Sequence, residues 1–260
     1  MLDRAFGHPL ETEEKAALTL AGGIVGHGYQ CGMIWGGALA AGAEAYRRLG
    51  HGPEAEAATI YAAQRVVESF RTRHNEIDCR AITDLDNTSS TWKQINAFLL
   101  KGIAFQCISM AGWYAPLVFD EIDAALTDEV ADVPSSPVSC AAMVAEKMGG
   151  SEMHAVMASG LAGGVGLCGG GCGALGAAIW MLGMKIGREE THGVDSKDPR
   201  FQEIIDRFVQ YTGDRFECSE IVGRKFEDVN EHAEYLRAGG CQELMEVLVN
   251  RPEDETNGTA

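Results

Sequence analysis

Cysteines stand at positions 31, 79, 107, 140, 168, 172, 218 and 241 of a 260-residue chain. Sulfur has three uses in a folded protein. As thiolate it ligates soft metals, as a dithiol it carries electrons, and as a small apolar group it packs inertly. Cys31 and Cys172 each follow a glycine-rich stretch and begin a helical run. A helix start offers free N–H groups and a partial positive charge, which lower the pKa of a thiol placed there. Cys172 is therefore expected to be a reactive thiolate. Cys140, which opens the run CAAMVAEKM after a Pro-Ser-Ser-Pro stretch, is its candidate partner. Cys140, Cys172, Cys218 and Cys241 suffice for an iron–sulfur cluster or another thiolate-bound metal. They also suffice for two dithiol pairs. Cys31, Cys79 and Cys107 rank second as ligands. So does Cys168, an auxiliary ligand or resolving thiol four residues before Cys172. Gly169, Gly171 and Gly173 surround Cys172 and would let a cofactor approach the backbone closely.

These cysteines recur in order. Residues 20–42 align without a gap on residues 161–183, and the identities are Leu20, Ala21, Gly22, Gly23, Gly28, Cys31, Gly32 and Gly42 on Leu161, Ala162, Gly163, Gly164, Gly169, Cys172, Gly173 and Gly183. Asp78-Cys79-x-x-Ile82 then resembles Glu217-Cys218-x-x-Ile221, and Cys107 corresponds in order to Cys241. Cys140 has no counterpart, because the equivalent position precedes Met1. The reading is a tandem duplication: a degenerate repeat over 1–125, a linker over 126–137, a complete four-cysteine repeat over 138–250 and a frayed tail over 251–260. Face-to-face packing of the copies would bring the glycine-rich turns together.

The elements that position the cysteines read as all-α, two small helical bundles in tandem. Pro53 opens a run to Arg73 with Ile60, Ala63, Val66, Val67 and Phe70 on one face. Asp198-Pro199 starts a helix that ends at Gly213. One long helix is expected from Thr88–Trp92 through Cys107, and residues 187–198 read as a surface loop. Residues 155–184 carry no charge, but GGVGLCGGGCG in their middle breaks any membrane span. Gly164-Val165-Gly166-Leu167-Cys168-Gly169 fits G-x-G-x-x-G, yet a dinucleotide site needs a strand before it and the preceding residues look helical.

The chain resembles the family of redox-active proteins named for the cysteine pattern C…CGAxxG…C…C. The second half carries the closer match, with Cys140, Cys172-Gly173-Ala174, Cys218 and Cys241 in the four places. It departs at Leu175-Gly176-Ala177, where glycine comes one position early. The first half, Cys31-Gly32-Met33-Ile34-Trp35-Gly36, keeps the last glycine and replaces Ala with Met. The resemblance implies redox or metal chemistry. Relatives include the haem-binding split-Soret cytochromes; this chain has no C-x-x-C-H, so covalent haem is not expected.

Lys and Arg number 21 against 38 Asp and Glu, a formal charge of −17, which excludes a basic nucleic-acid face and attraction to an anionic membrane. The N-terminus shows no targeting signal, so a cytoplasmic protein with reduced thiols is expected. The functional expectation is electron transfer through clustered cysteines, with a redox partner protein and room for a homo-oligomer. Its rivals are a metal carrier without redox turnover and a helical protein with buried, inert thiols.

Overall fold

A computed structural model describes residues 5–86, 88–99, 102–127, 133–189 and 194–250. Among them the chain is all-α, without strands. The helices are α1 Glu11–Ala17, α2 Gly32–Leu49, α3 Pro53–His74, α4 Cys79–Thr83, α5 Thr91–Leu99, α6 Ile103–Ala125, α7 Cys140–Lys147, α8 Glu152–Ser159, α9 Gly173–Glu189, α10 Pro199–Thr212, α11 Cys218–Val222, α12 Val229–Arg237 and α13 Gln242–Val249. Local chemistry sets their ends. Pro53 and Pro199 occupy first turns, Asp198 caps α10, and Gly213 closes it in the left-handed region. Ser139 caps α7 by accepting from the Ala142 N–H, and Ser151 and His154 form a capping box on α8.

The two glycine-rich stretches adopt one conformation twice. Gly22 to Gly26 all have positive φ, and so do Gly163 to Leu167, including the β-branched Ile24, Val25 and Val165. A left-handed run costs about 1–2 kcal/mol for each residue that bears a Cβ, which is why glycine fills so many of these places. The hydrogen bonds match as well. Val25 N donates to Thr19 O at 2.8 Å and Gly166 N to Gly160 O at 2.9 Å; Gly28 N donates to Gly22 O and Gly169 N to Gly163 O, both at 2.9 Å.

The halves exchange helices. α1 of the first half packs on α9 of the second, and α8 of the second packs on α2 of the first. Glycine permits each approach: a Cβ on Gly42 would lie 2.4 Å from Met157 Cα, and one on Gly183 would lie 3.3 Å from Ala16 O. One apolar core runs through both halves, with Trp35 and Trp180 fully buried in it.

Two expectations change. The helix foreseen from Thr88 through Cys107 is two helices, because Gly102 turns left-handed (φ +64) at the start of α6. The loop foreseen at 187–198 begins later, since α9 runs to Glu189; residues 190–193 lie outside the described residues. The G-x-G-x-x-G stretch follows helix α8 and not a strand. The tail 251–260 and linker residues 128–132 also lie outside the described residues. Among the described residues no helix is long and apolar enough to cross a membrane.

Candidate four-thiol centre

An isolated antiparallel bridge pairs Gly171 with Glu217. Cys172 N donates to Phe216 O at 2.9 Å and Cys218 N donates to Gly170 O at 2.7 Å, so the two cysteines sit side by side. Cys172 immediately precedes α9, and Cys218 is the first residue of α11. Cys140 is the first residue of α7, after its Ser139 cap, and Cys241 (φ +59) is the N-cap of α13. Four helix starts thus deliver four sulfurs. All four cysteines line a single cavity of about 10 Å³, room for roughly one water. Ile221, Val222, Phe226, His232, Tyr235 and Leu244 complete its wall with Gly173 and Ala174. A larger groove of about 450 Å³ lies between α1, α2 and α6 and is lined by none of the eight cysteines.

At Cys172 burial works against the expected low-pKa thiolate. Burial pushes its thiol up to about 12, against the pull of the Leu175 and Ala174 N–H groups. Burial likewise raises Cys140, Cys218 and Cys241; the charge of neighbouring thiolates raises Cys140 and Cys218 further, whereas the Tyr235 hydroxyl pulls Cys241 down. The helix-start effect is present, but desolvation is larger. Tyr235 Oη lies 3.8 Å from Cys241 Sγ, and burial first, then that sulfur, lifts the phenol to about 12. No Lys or Arg lines the cavity. The donor set therefore suits a soft cation, which would displace the thiol protons and balance the thiolates. As they stand, no three His, Cys, Asp or Glu side chains among the described residues form a ready-made metal site.

The first half repeats the backbone of this site without closing it. Gln30 bridges to Asp78, Cys31 N donates to Ile77 O and Cys79 N to Tyr29 O, both at 2.7 Å. Burial raises Cys31 to about 12 and also raises Cys79 and Cys107. Cys107 sits inside α6 and not at its start, and Cys79 and Cys107 are half-buried. Cys168 stays outside the cavity: its Sγ donates to Gly164 O at 2.7 Å and lies 3.6 Å from Gln30 Nε2.

Of the three candidate cofactor glycines, only Gly173 reaches the cavity. A Cβ on it would fall 1.7 Å from Leu161 O. Gly169 O accepts from Ser219 N and Oγ, and Gly171 N donates to Gln30 Oε1. Both serve backbone packing.

Gln30, His232 and Tyr235 went unremarked as site residues. Gln30 had a signal, since it aligns with Gly171 at the offset of 141. The glycine-rich turns do meet, and Gln30 joins them: its Nε2 donates to Gly164 O at 3.0 Å.

A helical scaffold with paired glycine turns and a thiol cluster defines a cysteine-centred all-α protein. The family model described as "Putative redox-active protein (C_GCAxxG_C_C)" matches residues 1–118 and again residues 138–253. The chain belongs to that family, with two matched segments in tandem. Comparison with curated proteins and with solved structures gives no match. The family's spacing, G-C-A-x-x-G, corrects the motif register above. Gly171-Cys172-Gly173-Ala174-Leu175-Gly176 keeps both glycines in place, while Gln30 and Trp35 replace them in the first segment. Those two side chains enter the space the second segment's glycines leave. A Cβ on Gly176 would lie 2.3 Å from the Trp35 ring, and one on Gly171 would lie 2.9 Å from Gln30 Oε1.

Proposed function

We propose that the second segment is the working centre of a redox-active protein, in which Cys140, Cys172, Cys218 and Cys241 hold a thiolate-bound metal, and that an iron–sulfur centre there serves electron transfer to a partner protein. One observation carries this reading: four cysteines from four separate helix starts line one cavity that has no cationic side chain. Such a metal centre supplies one-electron exchange when bound. The chain's own groups would support it. The Leu175 and Ala174 N–H groups stabilise charge on Cys172, and those of Gly163 and Ala141 do so on Cys140. The apolar wall of Ile221, Val222 and Leu244 keeps water out.

A second reading is dithiol chemistry, in which two thiols join as a disulfide and release two electrons and two protons to an acceptor protein. The narrowness of the cavity favours it. Oxygen-free purification, a visible spectrum and a count of iron, zinc and sulfide per chain separate the readings. A thiolate-to-iron absorption with stoichiometric iron and sulfide supports the cluster. Stoichiometric metal without redox activity supports a carrier. A colourless, metal-free chain leaves the dithiol, and a thiol redox titration then separates active from inert sulfur.

A further inference from the structure

We propose that the groove between α1, α2 and α6 is a docking site for an amphipathic helix of another protein, one with a face of small apolar residues and a basic flank. The inference does not depend on whether the thiols hold a metal. The groove has a volume of about 450 Å³, and Leu18, Met33, Gly36, Ala40, Ala111 and Ala115 form much of its apolar wall. A groove of this kind is how helices are captured between proteins, through anchors at i, i+3 and i+4.

The second half shows what such a surface holds. At the offset of 141, α8 is the counterpart of α1 with Leu18, and α9 is the counterpart of α2. Cys241 and Cys107 likewise match α13 to the first half of α6. One helix, α7, packs on α8, α9 and α13 together. Its Ser139 cap donates from Oγ to Ser159 O at 3.2 Å. In the first half the same place is the groove. The exposures follow: Ser159 is fully buried, whereas its counterpart Leu18 is 65% exposed. Ala177 is fully buried, whereas its counterpart Gly36 is half-buried, and a Cβ on Gly36 would meet nothing within 4 Å.

α7 sets the shape of the occupant: a helix over Cys140–Lys147 that buries Ala141, Val144 and Ala145, an i, i+3, i+4 set of small residues. Charge selects the partner. Glu11, Glu13 and Glu14 fall in the first turn of α1, and the last two line the groove with Lys15. The chain as a whole carries a formal charge of −17. A second copy would bring the same acidic edge and the same excess negative charge, which opposes self-association, whereas a basic flank is attracted.

A labelled peptide of residues 138–149, titrated with the full-length chain and read by fluorescence anisotropy, tests this. It carries Cys140→Ser, which prevents disulfide exchange, and Glu146→Lys, which puts a basic residue on its exposed side. The expected result is saturable binding that weakens with salt. Gly36→Leu, whose side chain would enter the groove, should weaken it by at least about tenfold. Should that variant not fold, Leu18→Lys at the exposed edge is the second one, and it should weaken binding as well. No saturable binding by the parent chain, or equal affinity in parent and variants, would overturn the proposal. Sedimentation and native mass spectrometry of the parent chain alone test the other occupants. A dimer that Gly36→Leu dissolves would give the groove to a second copy, and a bound small molecule that Gly36→Leu expels would give it to an apolar ligand; either result overturns the proposal.

Discussion

Gln30 and Gly171 occupy equivalent positions of the two segments, 141 residues apart, and they touch: Gly171 N donates to Gln30 Oε1 at 2.8 Å. A residue that meets its own counterpart marks a pseudo-twofold axis. Glu13 and His154, also 141 apart, meet at 3.1 Å, and Trp35 lies against Gly176. The halves thus face each other about an axis along which one side supplies bulk and the other glycine.

Gln30→Ala should cost about 2–3 kcal/mol. Gln30 is fully buried, and the change leaves the Gly171 N–H and the Gly164 carbonyl without its side chain. Urea unfolding should show a lower midpoint with an unchanged slope. A loss under about 0.5 kcal/mol, the range of ordinary surface changes, would contradict the role given to Gln30.

Gly176→Ala should destabilise by about 1–3 kcal/mol through overpacking against Trp35. Trp35→Phe shortens the ring that Gly176 accommodates, so the double variant should lose less than the sum of the singles. Additive losses would mean that the two residues do not share the space.

The metal-free chain should lose stability in base. The folded state holds the Cys31 and Cys172 pKa values near 12, above the unfolded value of about 8.5. Their stabilising contribution is complete below that value and disappears as pH rises towards 12, because the unfolded chain gives up its protons first. Thermal unfolding between pH 8 and pH 11 reads this. Bound metal should flatten the dependence, since its thiolates have already lost their protons.

The same protonation makes metal uptake release protons. Apparent affinity should rise with pH, and Cys218→Ser should lower it by at least about tenfold. Cys168→Ser should leave uptake unchanged, because Cys168 lies outside the cavity wall. Metal loss from the Cys168 variant would place that sulfur in the centre after all.

In acid, Glu13 sets a separate limit. The hydrogen bond from His154 holds its carboxyl below the usual carboxylate value, although burial works against it. That contribution is present above the unfolded pKa, near 4.3, and is lost as pH falls through the lower folded one. Glu13→Gln should flatten the acid limb of the stability curve; an unchanged limb would show that the pair does not stabilise the fold.

Much of this was readable along the chain. The spacing of Gly28, Cys31, Gly32 and Gly42 against Gly169, Cys172, Gly173 and Gly183 exposed the correspondence, because backbone geometry that only glycine tolerates leaves a mark in sequence. Pro53, Asp198 and Gly213 marked helix ends for the same local reason. What depends on neighbours in space was not readable. Cys172 sits at a helix start, as foreseen, yet its protonation follows burial, which spacing does not encode. Gln30 beside Cys31 looked unremarkable until Gly171 appeared opposite it. Gly102 breaks a run whose apolar period gave no warning.

The exchanged helices have a consequence for how the protein is made. α2 finds its cover in α8, around Met157, and that segment leaves the ribosome more than a hundred residues after α2 has. At about 5–20 residues per second, the nascent first half waits several seconds or longer with the flank around Gly42 uncovered. Synthesis therefore passes through a stage in which half of the chain is complete but its packing partner does not yet exist. Whatever protects that flank in the interval, whether a chaperone or a looser nascent state, belongs to the folding of this protein as much as its final contacts do.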